Sequence, residues 1–271
     1  FATASEAEIF IRELRRLLRW IGASDGNMEE GSIRCDANIS LSVLNGGAII
    51  DGGAPSIVEL KNLNSPRFVR LALEHEIDRQ GKLLLDGKRI VSQTRQWNDS
   101  AKQTEATRIK NADYRYSREN TIEPFAIDGD LLNEVDSSLP ELPQDAVKRL
   151  CREYELGYEQ AHILCEEKAS VHWFEQALQA GIEGKIEKKA LASAIANWML
   201  GDIKSLINKG LAPNIQSLPL SPKKLAEIIA LTADGSISSK TAKKVLELAI
   251  KTGQEPGQII AERALYQIRS V

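Results

Sequence analysis

Two prolines, Pro140 and Pro143, separate the chain into two parts with different sequence patterns. A proline lacks a backbone N–H donor and clashes with the preceding helical turn, so a helix does not run through this point. Before it, helical spacings alternate with stretches of period two, and after it only helical spacings occur. The pattern predicts an α+β part over residues 1–150, followed by an all-α part over residues 151–271.

The first part is predicted to combine helices with an antiparallel sheet. Apolar residues recur at intervals of three and four over residues 7–21 and 64–87, which indicates amphipathic helices. Apolar and polar residues alternate over residues 33–43, and residues 56–60 form a second strand that can pair with the first as a hairpin. A third strand is predicted over residues 88–95.

The second part is predicted to be helical throughout. Helix-start residues and closing glycines or prolines divide it into separate helices. These lie at residues 144–155, 158–167, 170–180, 187–209, 221–233, 238–252 and 255–264.

The charge balance and the cysteine count exclude several classes of protein. With 35 basic and 38 acidic residues the chain has a net charge of −3, which argues against a dominant non-specific nucleic-acid binder. Apolar runs fall short of the roughly 18 residues that span a bilayer, and no secretory leader opens the chain. The expected location is the cytoplasm or an organelle matrix, with no membrane partner. Three widely spaced cysteines indicate reduced thiols rather than a disulfide framework or a zinc site.

The densest group of polar residues lies between Met28 and Ser40. Two adjacent carboxylates, Glu29 and Glu30, precede a predicted strand. The side chains that then project from one face of this strand are Arg34, Asp36, Asn38 and Ser40. Carboxylates suit Mg²⁺, and arginine and asparagine bind phosphate or carbonyl groups. An exposed strand face with ordinary cross-strand ion pairs is an equally good interpretation.

A second polar group follows at residues 59–65. Glu59, Lys61 and Asn62 could face the polar row of the first strand, where Lys61 could hold a phosphate. Alternatively, Asn64 or Ser65 caps the helix that begins at Pro66. Both interpretations can hold at once.

Arginine and tyrosine alternate in a third segment, at Tyr114, Arg115 and Tyr116. Such side chains contact RNA phosphates and stack on bases, although the signal is weak by itself. The sequence has no phosphate-binding glycine loop, no dinucleotide fingerprint, no nucleophile elbow and no zinc-protease motif. Any catalysis would therefore use carboxylates, a metal ion and cationic side chains.

Seven strings, taken in order, resemble the B subunit of the glutamyl/aspartyl-tRNA amidotransferases, the GatB family. They are MEEGSIRCDANIS (28–40), ELKNLNS (59–65), EIDRQ (76–80), QTR (93–95), DYRY (113–116), LPELP (139–143) and NW (197–198). One such string would be a weak match, but the ordered set is specific.

The resemblance implies a partial cradle of antiparallel sheet and helices, similar in fold to glutamine synthetase, followed by a helical domain that contacts tRNA. It implies a ligase subunit that uses ATP and Mg²⁺ to phosphorylate the side-chain carboxylate of misacylated Glu-tRNA(Gln) or Asp-tRNA(Asn). Ammonia from a partner glutaminase (A) subunit then displaces the phosphate, and a small C subunit completes a heterotrimer.

The resemblance also assigns roles to the polar groups. Glu29, Glu30 and Asp36 become catalytic candidates, with Glu29 and Glu30 as metal ligands. The candidates for cofactor binding are Arg34, Asn38, Glu59 and Lys61. Tyr114, Arg115 and Tyr116 either position the substrate or brace the sheet.

The chain departs from the family pattern in three places. The string that follows Tyr116 differs from the family's Phe-Pro-Glu-Pro-Asp. The family's N-terminal third, which adds a histidine and acidic residues to the site, has no counterpart, and the helical tail stops at Val271. The isolated chain is therefore expected to be inactive, and a non-catalytic tRNA-binding or scaffold module is the alternative hypothesis.

Overall fold

The computed structural model describes residues 1–42, 44–45, 48–49, 56–109, 121, 126–182, 184 and 186–267. The chain forms two compact units, Phe1–Pro140 and Glu141–Val271. The division lies in the proline segment, whereas the predicted boundary at residue 150 falls inside helix α4, Pro143–Tyr154. The prolines at which the hydrophobic period changes therefore coincide with the division between the two units.

The first unit mixes helices with strands, as predicted. Its elements are α1 Ala4–Trp20, β1 Ala37–Ile39, β2 Leu44–Asn45, β3 Ala48–Ile49, β4 Val58–Lys61, α2 Pro66–Leu85, β5 Gln93–Asn98, β6 Gln103–Ile109 and α3 Gly129–Ser138. Four strands form one sheet in the order β1-β4-β5-β6, and β2 pairs with β3. The sequence patterns did not predict β6 or α3.

The sheet is mixed, so the prediction of a purely antiparallel sheet is wrong at one pair of strands. β1 runs antiparallel to β4 and β5 runs antiparallel to β6, but β4 and β5 are parallel. Two parallel strands cannot be joined by a tight turn, and here helix α2 makes the crossover between them.

Strand β1 is shorter than the predicted strand over residues 33–43. Its partner β4 has only four residues, and the paired positions run from Ala37 opposite Leu60 to Ile39 opposite Val58. The alternation nevertheless extends beyond the ladder, since Arg34 and Asp36 are exposed while Ile33 and Cys35 are half-buried.

The core of the first unit lies between the sheet and helices α1 and α2. Val58, Leu60 and Trp97 of the sheet pack in one cluster with Ala7 and Ile11 of α1. The same cluster includes Val69, Ala72 and Leu73 of α2. Helix α2 begins as predicted, with the Ser65 hydroxyl accepting a hydrogen bond from the Phe68 N–H at 3.1 Å and Pro66 in the first turn.

The second unit is helical in the described ranges, which confirms the prediction for this part. Its helices are α4 Pro143–Tyr154, α5 Tyr158–Leu164, α6 Lys168–Gly181, α7 Lys188–Trp198, α8 Lys204–Asn208, α9 Pro222–Ala233, α10 Ser239–Thr252 and α11 Pro256–Glu262. A π-helical turn, Met199–Ile203, joins α7 to α8, so the predicted long helix over 187–209 changes its hydrogen-bond pattern in the middle. The core of the second unit includes Leu150, Phe174, Leu191, Ile195 and Ile228. None of the helices in the described part of the chain is long and apolar enough to cross a bilayer.

Candidate active site on the polar face of the sheet

The two faces of strand β4 have opposite characters. Val58 and Leu60 are fully buried in the core, and the side chains between and after them, Glu59 and Lys61, lie on the other face. The antiparallel register places Asn38 directly opposite Glu59. Asp36, just before β1, reaches Lys61 with its carboxylate. Four of the predicted site residues therefore meet on one sheet face, which we call the polar face: Asp36, Asn38, Glu59 and Lys61.

Lys61 lies between two carboxylates. Its Nζ is 2.7 Å from Asp36 Oδ2 and 3.3 Å from Glu59 Oε1. The hydrogen bond to Asp36, with a smaller contribution from Glu59, holds the pKa of Lys61 above its ordinary value, so the side chain stays cationic. Its side chain is 37% exposed, and an anionic ligand can therefore reach the ammonium group from solvent.

Glu59 is held from both sides. Its Oε2 accepts a hydrogen bond from the Thr94 hydroxyl at 2.8 Å, while Oε1 faces Lys61. The Glu59 side chain is only 13% exposed. Sequence analysis did not single out Thr94, because its contact arises from the parallel pairing of β4 with β5. In the sequence, the position of Thr94 within the QTR string was the feature that could have pointed to this residue.

A polar cavity of about 300 Å³ adjoins this face. It is lined by Glu29, Glu30, Arg34 and Asp36, together with Asn62 and Asn64 from the loop after β4. Glu29 and Glu30 are exposed, and their backbone N–H groups donate to Asn27 Oδ1 at 3.0 and 3.3 Å, which fixes the turn that carries them. Because Asp36 belongs to both the cavity and the polar face, the predicted carboxylates, Arg34 and Lys61 form one continuous polar region.

Asn62 is one of the residues that line this cavity. Its backbone adopts a left-handed conformation with φ of 63°. Its Nδ2 donates to the Trp97 carbonyl at 2.9 Å, and its Oδ1 accepts a hydrogen bond from Asn64 Nδ2 at 3.1 Å. The side chain therefore ties the loop after β4 to the end of β5. Sequence analysis gave Asn62 no role of this kind.

The predicted metal ligands form a pair of carboxylates rather than a complete protein cage. Among the residues that the structure describes, no group of three or more His, Cys, Asp or Glu is placed to hold a metal ion. Mg²⁺ is usually bound through one or two carboxylates, with water and phosphate oxygens completing the octahedron. Glu29 and Glu30 fit that mode of binding.

The predicted substrate residues Tyr114, Arg115 and Tyr116 lie outside the described residues. Their proposed role therefore stays a prediction.

The opposite face of β5 carries a buried ionic cluster, formed by Glu76, Arg79, Gln80, Arg95 and Thr104. Glu76 of α2 is fully buried and accepts hydrogen bonds from Arg79 at 2.9 Å, Gln80 at 2.8 Å and Thr104 at 3.1 Å. Arg95 Nε lies 3.5 Å from Glu76 Oε2. The EIDRQ and QTR strings thus meet in one cluster that joins α2 to the sheet.

The electrostatics of this cluster favour an ionised Glu76. Burial alone would raise the pKa of Glu76, but hydrogen bonds from Arg79 and Gln80 and the charges of Arg79 and Arg95 hold it below its ordinary value. Gln80 also accepts a hydrogen bond from the Leu41 N–H at 3.0 Å, so the cluster reaches the segment after β1.

Comparison with known protein families defines the class to which this fold and polar face belong. Residues 1–133 match the GatB/GatE catalytic domain, and residues 174–271 match the GatB domain. The chain belongs to the GatB family.

Curated relatives match along almost the whole chain. The B subunit of the aspartyl/glutamyl-tRNA(Asn/Gln) amidotransferase of Thermodesulfovibrio yellowstonii is 38% identical over 265 residues, covering 97% of this chain and 53% of that protein. Its counterpart in Thermosynechococcus vestitus is 36% identical over 271 residues, covering 99% and 51%. The B subunit of the glutamyl-tRNA(Gln) amidotransferase of the Paulinella chromatophora chromatophore is 37% identical over 268 residues, covering 98% and 51%. The chain spans about half the length of these relatives.

Proposed function

We propose that this chain is part of an ATP-dependent tRNA amidotransferase subunit, and that its polar face and the adjoining cavity bind the nucleotide phosphates with Mg²⁺. The observation that carries the proposal is the position of Lys61. It is a solvent-accessible cation held between Asp36 and Glu59, beside a cavity lined by Glu29 and Glu30. The names of the relatives support amide transfer to a misacylated tRNA.

The chemistry suits this arrangement of charges. A carboxylate is a poor electrophile, and phosphorylating the side chain of misacylated Glu-tRNA(Gln) or Asp-tRNA(Asn) gives ammonia a leaving group to displace. Bound Mg²⁺ would neutralise phosphate charge. Lys61 and Arg34 would offset the remaining phosphate charge, and Glu29 and Glu30 would hold the metal ion. Asp36 was predicted as a catalytic carboxylate; since it pairs with Lys61, we propose that it orients this cation.

Asn38 and Glu59 complete the proposed site. Asn38 is exposed opposite Glu59 and can hydrogen-bond a nucleotide or acyl group. Glu59 is mostly shielded from solvent, so its role is to hold Lys61 rather than to contact a ligand.

The larger assignments belong to the same proposal. The first unit would be part of a glutamine synthetase-like cradle, and the helical unit would contact the tRNA. A glutaminase (A) subunit would supply ammonia and a small C subunit would complete the complex, in the cytoplasm or an organelle matrix. The isolated chain would be inactive.

Replacing Glu29 and Glu30 together by glutamine tests the proposal in the full-length protein within its complex. We expect Mg²⁺-dependent ATP binding to be lost, because glutamine cannot supply the anionic oxygens that Mg²⁺ prefers. Equilibrium titration with ATP, with and without Mg²⁺, measures this. Asp78→Asn is the matched control, since Asp78 is an exposed acid on α2 that pairs with Lys82. Unchanged binding in the double variant would contradict the proposal. Retained tRNA binding without any ATP binding by the wild type would favour the non-catalytic tRNA-binding module instead.

A further inference from the structure

Helix α3, Gly129–Ser138, buries none of its side chains among the residues that the structure describes. Its apolar residues nevertheless lie on one side of the helix. Leu132, Val135 and Leu139 are 58%, 48% and 57% exposed, the last directly after the final turn. Leu131, which is half-buried, completes the set. At 3.6 residues per turn the four side chains fall within roughly 100° of the helix circumference, and we call them the α3 face.

The charged residues around the α3 face are all acidic. They are Asp128, Asp130, Glu134 and Asp136. Asp130 and Glu134, four residues apart, border one side of the face, and Asp136 borders the other. None of the four forms an ion pair with another residue in the described part of the chain. The sequence has no lysine or arginine between Arg118 and Lys148, so nearby residues of the chain do not offset this negative charge.

Helix α3 has few local sources of stability. Isolated helices shorter than about 12–15 residues are marginal in water, and within proteins helix stability comes mainly from packing of an apolar face. The Asp128 side chain caps the first turn by accepting a hydrogen bond from the Leu131 N–H at 2.9 Å, but the last turn contains no basic residue. Because the α3 face is the surface through which packing can stabilise this helix, we expect it to be covered in the assembled protein.

Charge decides which kind of partner fits the α3 face. A surface bordered by these acids repels the phosphates of RNA and of anionic membranes. An apolar helix face suits a hydrophobic groove of another protein, the arrangement of helix-in-groove complexes. Lysine or arginine side chains along the rim of such a groove would complement the acids on both borders.

We infer that the α3 face is a docking surface for a partner protein, which receives it in an apolar groove rimmed by lysine or arginine side chains. The inference goes beyond the proposed function, because it involves neither the polar face nor a nucleotide. It gives a role to a helix in which sequence analysis found no candidate site residue.

Zero-length coupling tests the contact directly. A carbodiimide joins a carboxylate to a lysine amine only where the two groups touch, and mass spectrometry identifies both residues. In the full-length protein, purified together with the proteins bound to it, we expect Asp130, Glu134 or Asp136 to be joined to lysines of a partner protein. Links only to lysines of the same chain, or only to a second copy in a mixture of isotope-labelled and unlabelled protein, would overturn the inference.

Two serine substitutions test the apolar part of the contact. Leu132→Ser and Val135→Ser together should reduce the yield of these links roughly tenfold, because they remove two apolar side chains from the centre of the interface. Both positions are exposed, so the first unit should keep its fold. Leu85→Ser is the matched control, since Leu85 is 89% exposed at the end of α2. Equal yields in the wild type and the double variant would contradict the docking role.

Hydrogen–deuterium exchange provides a second readout that needs no coupling. The amides of α3 should exchange roughly tenfold more slowly in the complex than in the 271-residue chain alone. Asp130→Lys with Glu134→Lys should remove this protection, because like charges would then face the basic rim. Asp78→Lys, a charge reversal at an exposed position of α2, should not. Equal exchange in the complex and in the chain alone would show that no partner covers the α3 face.

The outcome is separate from that of the proposed function. A protected α3 in a complex that binds no ATP would contradict the proposed nucleotide site and leave the docking role standing. Loss of tRNA binding in the double serine variant, without any link to a protein, would assign the α3 face to RNA and overturn the inference.

Discussion

Asn62 shows how much of the site depends on a single residue. Its positive φ belongs to a region that costs most L-residues about 1–2 kcal/mol, and asparagine is one of the few side chains that tolerate it. Its amide also satisfies the carbonyl of Trp97, a residue buried in the core. One side chain therefore stabilises an unfavourable turn and attaches the cavity to the end of β5.

Two substitutions at Asn62 separate these contributions. Asn62→Gly loses the hydrogen bond but accepts the left-handed conformation, and we expect a destabilisation of about 1 kcal/mol. Asn62→Ala loses the hydrogen bond and adds backbone strain, so about 2 kcal/mol is expected. Urea denaturation of the full chain measures both values. If alanine and glycine destabilise the protein equally, the backbone conformation at this position contributes nothing.

Part of the site could be predicted from the sequence at this scale. Alternation along residues 33–43 placed Arg34, Asp36 and Asn38 on an exposed face, and the structure confirms their exposure. The contact between Thr94 and Glu59 could not be predicted, because it needs the parallel register of two strands separated by a helix. A period-two pattern says which face a residue occupies but not which strand lies beside it.

At the scale of elements, α2 is attached to the sheet by more than apolar packing. The fully buried Glu76 contacts Arg79 and Gln80 of its own helix and Thr104 of β6. Removing only one partner of such a buried carboxylate strongly destabilises the protein, because a charge is left buried without compensation. The attachment of α2 should therefore depend on pH.

We expect the free energy of unfolding to fall as the pH drops below about 4.5, the ordinary pKa of the Glu76 carboxyl. Because the folded-state pKa is lowered, the unfolded chain takes up the proton first, so this stabilisation is present above that pH and is lost as the pH falls through the folded-state pKa. Glu76→Gln should cost about 3 kcal/mol at pH 7 and reduce the slope in acid. Denaturation curves at several pH values measure this, and an unchanged acid slope in Glu76→Gln would assign the effect to other groups.

In the helical unit, Arg149 of α4 links two other segments. It donates to both oxygens of Glu141, at 2.7 and 2.9 Å, and to Glu175 of α6 at 2.6 Å. The hydrogen bonds to Glu141 are the largest cause that raises the pKa of Arg149, and Glu175 adds to the effect. Lysine carries the same charge but cannot donate in two parallel directions.

Arg149→Lys should therefore destabilise the helical unit by about 1 kcal/mol, a modest value because all three side chains are partly exposed. Lys148→Met is the control, since its ion pair with Asp145 is largely solvated. Thermal unfolding of both variants compares them. A control variant that loses as much stability as Arg149→Lys would show that the forked geometry is unimportant.

Elements differed in how far the sequence could predict them. The helices after Pro143 begin and end within a few residues of their predicted positions, because caps and hydrophobic periods are local. The sheet was less predictable: β6 follows a short turn after Asn98 that sequence analysis did not identify, and the parallel direction of β5 depends on the crossover through α2. The spacing of apolar residues did not predict the π-helical turn at Met199–Ile203.

At the scale of the whole molecule, the chain divides into two compact units. Phe1–Pro140 and Glu141–Val271 are each compact, and each buries its own set of apolar side chains. A unit with its own core can unfold as one cooperative step.

We expect calorimetry of the chain to resolve two unfolding transitions. Glu76→Gln should lower only the transition of Phe1–Pro140, and Arg149→Lys only that of Glu141–Val271, because each substitution alters one core or its surroundings. A single transition that moves with either substitution would contradict independent folding of the two units.

The two faces of β4 have a consequence for how this protein can evolve. Val58 and Leu60 are constrained by folding, since any change there disturbs the core, whereas Glu59 and Lys61 project to the opposite side. Natural selection for a stable chain therefore preserves the sheet without preserving its chemistry. A descendant could exchange its polar side chains, and with them its ligand, while keeping every strand in place. Within such a lineage, the residues on the core face of β4 would stay similar, while those on the polar face would be free to differ.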